Sequence, residues 1–230
     1  MTSIAAMLPA GAVLPRHQHA TPYVTLILRG TYVEAGDHGR FVVGPGDVLV
    51  HGQYASHANW THAQSDVETL NFEVSETPHA PPLSTTTDVD EVVRLSVSDR
   101  TAAKTALLNA MTPKTPPLTD WPDIIASAIR DDPAKPVSYW GQSLGLAPGT
   151  VSRGFKRAFG VSAAKYRATA RARQAYEALL HSDRALIDIA DQYRFSDQAH
   201  FTRAIRALTG VPPSHWRRVK NLQDAAATAH

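Results

Sequence analysis

Residues 151–167 recur, in almost the same order of residue types, fifty residues later as 201–217. A chain that writes one helical pattern twice at this interval is committed to two copies of one small unit. Two copies are too few for a solenoid, whose cores grow by stacking at least three repeats. In the first copy Val151, Phe155, Ala158 and Phe159 stand at i, i+4, i+7 and i+8, which aligns four apolar side chains on one face of a helix. Phe201, Ile205 and Leu208 restate that stripe. The opposite face carries Gly149, Ser152, Arg153 and Lys156 in the first copy and Ala199, Thr202, Arg203 and Arg206 in the second. Both helices close on Gly-Val, at Gly160 and Gly210, where a helix C-terminus calls for a left-handed residue.

A shorter helix and a tight turn precede each copy: 138–144 and then Gly145-Leu146-Ala147-Pro148, and 185–193 and then Arg194-Phe195-Ser196-Asp197. Helix, short turn, helix is the layout of a unit whose second helix enters the major groove of DNA. Between the copies, 163–180 has no Gly or Pro, and Ala168, Ala172, Ala175 and Leu179 fall on one predicted face. A helix of about 18 residues spans about 27 Å, a strut able to hold two reading helices roughly one DNA turn apart on one side of a duplex.

Three segments, GLAPGTVSRGFKRAFGVSAAKYR, ARARQAYEALLHSD and ALIDIADQYRFSDQAHFTRAIRALTGVPPSHWRR, together resemble the AraC/XylS family of transcription regulators, over about residues 121–218. The resemblance implies sequence-specific binding of double-stranded DNA by a tandem helix-turn-helix domain, with activation through contact with RNA polymerase. Matched position by position, Gly149, Ser152 and Arg153, and Gln198, Ala199, Thr202 and Arg203, fall where the family faces base edges. Lys156, Arg157 and Arg206 fall where phosphates pass. Gly149 and Ala199 have no side-chain donors, so base reading is expected to rest on Arg153, Gln198, His200, Thr202 and Arg203. Two positions depart from the family. Arg194 replaces a turn glycine, which costs about 1 kcal/mol if the turn is left-handed, and Ala147 replaces a capping serine, again worth about 1 kcal/mol.

Charge agrees with this division of labour. Residues 121–230 carry 16 Lys and Arg against 9 Asp and Glu, whereas 1–120 carry 7 against 12, so a net charge of +2 conceals a basic half joined to an acidic one. A basic half is what phosphate neutralisation requires. There is no cysteine, which excludes disulfides, thiol switches and cysteine-held zinc. The chain shows neither an apolar run of about 18 residues nor a basic-then-apolar leader, so the expectations are no membrane partner and a cytoplasmic protein.

The N-terminal half reads differently. Short β-rich runs at 23–28, 31–34, 41–43, 48–50 and 67–74, separated by glycine turns, predict a small barrel or sandwich. Gly11, His17-Gln18-His19 and Gly30, followed by Gly39, Pro45-Gly46-Asp47, His57 and Asn59, resemble the two motifs of a cupin barrel over about 60 residues. The resemblance implies a metal held by His17, His19 and His57, but Tyr23 or Val24 stands in place of its glutamate. The other reading of these residues is a pocket for an organic effector, lined by His17, His19, Tyr23, His57 and Trp60, with Tyr32 and Tyr54 as further candidates. His51 and His62 are additional imidazoles that spacing alone does not place.

The expected class is therefore α+β in two domains: a small cupin-like β-barrel followed by helices, then an all-α tandem helix-turn-helix domain. The expected boundaries are 1–78 for the barrel, 79–120 for a helical and proline-rich connection, 121–219 for the DNA-binding domain and 220–230 for a frayed tail. Helices are predicted at 89–95 and 101–111, the second preceded by the capping candidates Ser98 and Asp99. They either join a homodimer, as the resemblance implies, or cap the barrel. The expected function is a non-enzymatic regulator responding to a small molecule. The alternative is a cupin metalloenzyme with a helical appendage, which leaves the repeat unexplained.

Overall fold

A computed structural model describes residues 5–115 and 120–228, with side chains to 222. The chain forms two compact units whose main boundary in sequence lies between Asp123 and Ile124. The first contains strands β1 (Ala6–Leu8), β2 (Val13–Gln18), β3 (Tyr23–Arg29), β4 (Tyr32–Gly36), β5 (Gly39–Val43), β6 (Asp47–His51), β7 (Ser56–Thr61), β8 (Val67–Glu73) and β9 (Leu83–Thr85), helices α1 (Val89–Ser98) and α2 (Arg100–Ala110), and the short β10 (Thr112–Pro113). Helix α3 (Trp121–Asp131) crosses the boundary. The second unit continues with α4 (Val137–Ser143), α5 (Pro148–Phe159), whose last residues from Arg157 group with the first unit, α6 (Ala163–His181), α7 (Leu186–Gln192), α8 (Gln198–Thr209) and α9 (Pro213–Thr228).

Two antiparallel sheets make the first unit, in the orders β1-β8-β3-β6-β9-β10 and β2-β7-β4-β5. Alternation along β3 assigns its two faces. Ile27 packs inward with Leu49, Val67 and Leu83 of its own sheet against Tyr32, Phe41 and Val43 of the other. Val24 and Leu26 point the opposite way, into a second core with Val48, Val50, Leu70 and Phe72 that is closed by Val92, Ala103 and Leu107 of α1 and α2. Each Val, Leu, Ile or Phe among them contributes about 1.5–3 kcal/mol on burial. The two helices therefore bury their apolar faces as a cap on the sheet. Asp99 caps α2 by accepting from the Thr101 and Ala102 amides at 3.0 and 2.9 Å.

The proline-rich connection is only partly a loop. Pro113 pairs with Ser84 in β10 and Pro122 lies in the first turn of α3, while Pro116 and Pro117 fall outside the described residues. At the other end the expected frayed tail is a correction: α9 runs on to Thr228.

In the second unit the apolar stripes of both repeats are buried, Phe155, Phe201 and Ile205 completely. Phe155 meets Tyr166 edge-on at 5.4 Å, and Tyr176 of α6 meets Trp216 of α9 at 5.2 Å. Gly160 and Gly210 take the left-handed conformation expected of them, at φ +68° and +82°. Along α6, Ala172, Ala175 and Leu179 are buried, but Ala168 is exposed. The buried face instead passes through Ala163 and Tyr166, because the larger tyrosine ring takes the contact with Phe155.

Candidate DNA interface and barrel pocket

The two reading helices begin differently. Helix α8 is capped by Asp197, whose carboxylate accepts from the His200 amide at 2.6 Å and from the Ser196 hydroxyl at 3.0 Å. These bonds hold the Asp197 carboxyl below the usual carboxylate range. Helix α5 opens with Pro148, a residue preorganised for the first helical position. The Ala147 carbonyl accepts the Thr150 and Val151 amides at 2.9 and 3.1 Å.

Away from the buried stripe, Gly149, Ser152, Arg153, Lys156 and Arg157 of α5 are exposed, as are Gln198, Ala199, Arg203 and Arg206 of α8. Thr202 and His200 are half-buried. His200 is held: its ring lies edge-on to Phe195 at 5.2 Å and its Nδ1 is 3.2 Å from the Ser196 hydroxyl. At Gly149 a Cβ would come within 3.3 Å of the Arg153 guanidinium, so this glycine leaves room for that side chain to fold back along α5.

Several basic residues serve the fold instead of the surface. Arg167, at the end of the first repeat, donates to the Ala134 carbonyl at 2.8 Å, just ahead of α4. Arg217, its counterpart, donates to the Ser182 and Arg184 carbonyls, just ahead of α7. Arg171 donates to the Arg194 carbonyl at 3.1 Å and lies over the Phe195 ring at 4.6 Å. Each repeat thus ends by tying back to the entrance of its own short helix. The excess of positive charge read from composition overstates what faces solvent, since a guanidinium's five N–H groups also serve as donors to backbone carbonyls.

In the first unit a cavity of about 380 Å³ opens between the sheets beyond the apolar core. His17, His19, Tyr23, Glu34, His51 and His57 line it, with Tyr32, Thr25, Asn59 and Asn71. Strand pairing brings them together: His17 lies opposite His57, His57 opposite Gly36, Glu34 opposite Asn59, and Tyr23 opposite His51. Four of the five residues expected in an effector pocket are present. Trp60 is a correction: it lies an odd number of positions from His57 on β7 and projects to the other face. Tyr54 also lies outside the cavity lining, and His62 is exposed.

The imidazoles are packed closely. Ring centroids are 4.4 Å apart for His17 and His57, 5.0 Å for His17 and His19, and 4.7 Å for His51 and His57. Tyr23 stacks on His51 at 4.2 Å, and its hydroxyl is 3.4 Å from His57 Nε2. Burial, followed by the neighbouring imidazoles, lowers His57 to about 3, sets His51 well below its usual value and lowers His19. Burial raises Glu34 to about 8, against the opposing pull of a Tyr32 hydrogen bond and of Arg16. At neutral pH His19, His51 and His57 are neutral and their lone pairs available, the state in which histidine ligates a metal.

His17, His19 and His57 do offer three ligand atoms within 4.8 Å of one another. His17 donates Nδ1–H to the Pro15 carbonyl at 2.9 Å, which leaves Nε2 as its ligand nitrogen. The fourth position of the motif does not fit so well. Tyr23 stands there with its hydroxyl pushed far above the usual range by burial and by Glu34, so it remains a neutral phenol. Sequence spacing missed Glu34 altogether, although an acidic residue at the same parity as Tyr32 in an apolar run was a usable signal.

Comparison with known proteins bears mainly on the second unit. A family described as "Helix-turn-helix domain" matches residues 140–219. The chain is similar to the HTH-type transcriptional regulator ExsA of Pseudomonas aeruginosa, 32% identical over 85 residues, which make up 37% of this chain and 31% of that protein. It is also similar to the uncharacterized HTH-type transcriptional regulator YbfP of Bacillus subtilis, 38% identical over 63 residues, 27% of this chain and 21% of that protein. The chain therefore spans less than a third of the length of either relative. Among solved structures, ToxT from Vibrio cholerae superposes with a TM-score of 0.43 at 8% identity, covering 93% of this chain and 96% of that one. No helix among the described residues is long and apolar enough to cross a membrane.

Proposed function

We propose that the chain is a sequence-specific transcription regulator of the AraC/XylS type that reads two adjacent major-groove segments of double-stranded DNA, a reading supported by the helix-turn-helix match over residues 140–219. One observation carries the proposal. The same two-helix unit occurs twice, and in each copy the second helix buries an apolar stripe while a row of polar and basic side chains stays in solvent. Helices α5 and α8 are the reading helices. Arg153, Gln198, Thr202 and Arg203 are the base-reading side chains, and Lys156, Arg157 and Arg206 meet phosphates. His200, held against Phe195 and Ser196, contributes through its fixed ring position.

The barrel pocket is the effector site, lined by His17, His19, Tyr23 and His57 together with Glu34 and His51. Effector binding acts on DNA affinity only if it favours one state of the protein over another, and a coupling of about 1–3 kcal/mol is ordinary. Contact with RNA polymerase and pairing as a homodimer belong to the same reading and rest on the family resemblance.

Retardation of duplexes selected from random DNA tests the function. Arg203→Ala should weaken specific binding more than non-specific binding, whereas Lys156→Ala should weaken both alike and reduce the salt slope by about 1. Failure of the purified protein to retard any duplex at low ionic strength overturns the reading. Equal loss of specific and non-specific affinity in Arg203→Ala overturns the role given to that side chain.

A further inference from the structure

The floor of the barrel pocket holds three donors from three different strands. Glu34 of β4, His51 at the end of β6 and His57 of β7 are all more than nine-tenths buried. Each offers a ligand atom within 4.8 Å of the other two. Only His57 belongs to the histidine group nearer the pocket mouth.

Three features mark this group as a place for a cation. The separation between His51 Nδ1 and the Glu34 carboxylate is 3.7 Å, too long for a hydrogen bond. It is close to the edge of a tetrahedron with ligand bonds of about 2.1 Å, roughly 3.4 Å. Second, His57 faces the Tyr23 hydroxyl with Nε2, while its Nδ1 is buried with no hydrogen-bond partner. A buried ring nitrogen without a partner is costly, and an ion bridging to Glu34 and His51 supplies what is missing. Third, the donors are already oriented. Tyr23 stacks on the His51 ring, and the Tyr32 hydroxyl hydrogen-bonds Glu34, the kind of outer support that ligating side chains use.

The chemistry selects the ion. No Lys or Arg is among the residues lining the pocket, whereas Glu34 and Glu73 both are, so an anionic effector finds no counter-charge there. Two imidazoles and one carboxylate, in a chain without cysteine, suit a borderline divalent transition metal and not a thiophilic one. We propose that Glu34, His51 and His57 bind a divalent ion of the zinc, cobalt or nickel class and that this ion is the effector of the regulator. The second half of this statement rests on the function proposed above; the binding site does not.

The experiment uses the whole 230-residue chain, stripped with chelator and titrated with Co(II) alone. Uptake of one ion per chain, with visible ligand-field bands, is expected. Glu34→Gln and His51→Asn should each weaken uptake by at least about tenfold, while His17→Asn and His19→Asn stay within about threefold. Circular dichroism checks that the variants fold. Should they not, X-ray absorption of the zinc-loaded wild type decides, because imidazole scattering counts two histidines for this site and three for the group at the mouth. No saturable uptake, or three imidazoles in the spectrum, overturns the site. Retardation with and without Zn(II) tests the regulatory half. A several-fold change in operator affinity is expected, and an unchanged affinity in metal-loaded protein overturns the effector role while leaving the site standing. Protein that takes up one ion but retards no duplex defeats the DNA-binding reading instead.

Discussion

The two turns that lead into the reading helices provide a matched pair of substitutions. In the first, the Gly145 amide donates to the Gln142 carbonyl at 3.0 Å and the Leu146 amide to the Gly141 carbonyl at 2.9 Å. In the second, Arg194 donates to Asp191 and Phe195 to Ala190, both at 2.9 Å, with the same offsets along the chain. Both central residues are left-handed, Gly145 at φ +67° and Arg194 at φ +57°. For an L-residue this conformation costs about 1–2 kcal/mol, and glycine offsets part of the relief through its extra freedom in the unfolded chain, about 0.4–1 kcal/mol. Arg194→Gly should therefore stabilise the helical unit by about 0.5–1 kcal/mol. Its carbonyl remains to accept from Arg171. Gly145→Ala should destabilise by a similar amount, and backbone strain alone decides it, because a Cβ there meets nothing within 4 Å. For a unit of this size the midpoint shifts are roughly 3–6 °C in opposite directions. Thermal unfolding followed by helix ellipticity measures both. A lowered midpoint for Arg194→Gly means that the arginine side chain contributes more than the strain costs. An unchanged midpoint for Gly145→Ala removes the premise.

Three further outcomes are expected. Phe201→Ala and Phe155→Ala, each emptying a fully buried site, should cost about 3–5 kcal/mol, read as a fall in the denaturant midpoint of the helical signal. Ser162→Ala removes the hydroxyl that accepts the Lys165 amide at the start of α6 and should cost about 1 kcal/mol in the same assay. Asp197 has its carboxyl pKa lowered in the folded state, first by the His200 amide, so its contribution is present above the unfolded carboxylate pKa and lost as pH falls through the folded one. Asp197→Asn caps about equally well at neutral pH, so the two proteins should match there. The wild type alone should lose the extra increment on acidification, and parallel acid-side melting curves would count against that assignment.

The helical half was legible almost to the residue. Its information is local: Val151, Phe155 and Phe159 must share a face in any helix, Gly160 and Gly210 must sit where a left-handed turn ends one, and a pattern written twice states its own unit. Local information fails where a side chain's partner is remote. Arg167 and Arg217 enter the sequence only as part of the basic count, whereas their carbonyl partners lie 33 to 35 residues away along the chain. Ala168 matched the stripe of α6 by spacing, yet the contact goes to Tyr166 because Phe155 lies opposite it.

In the β half the residue types announced a pocket rich in imidazole, but alternation along one strand says only which residues share a face, and nothing about which strand lies beside it. His17 and His57 were paired by motif, while Glu34 and His51 went unconnected, since they meet through the ladders β4–β7 and β3–β6 that no spacing encodes. Parity then set Trp60 outside, and the outer face of β3 took the helices as its cover. Residue identity thus settles which groups are available and how each element is patterned, because both depend on neighbours a few positions apart. Which donors converge on one point in space is settled by strand register, a long-range choice made when the apolar faces of the two sheets and the capping helices are buried together.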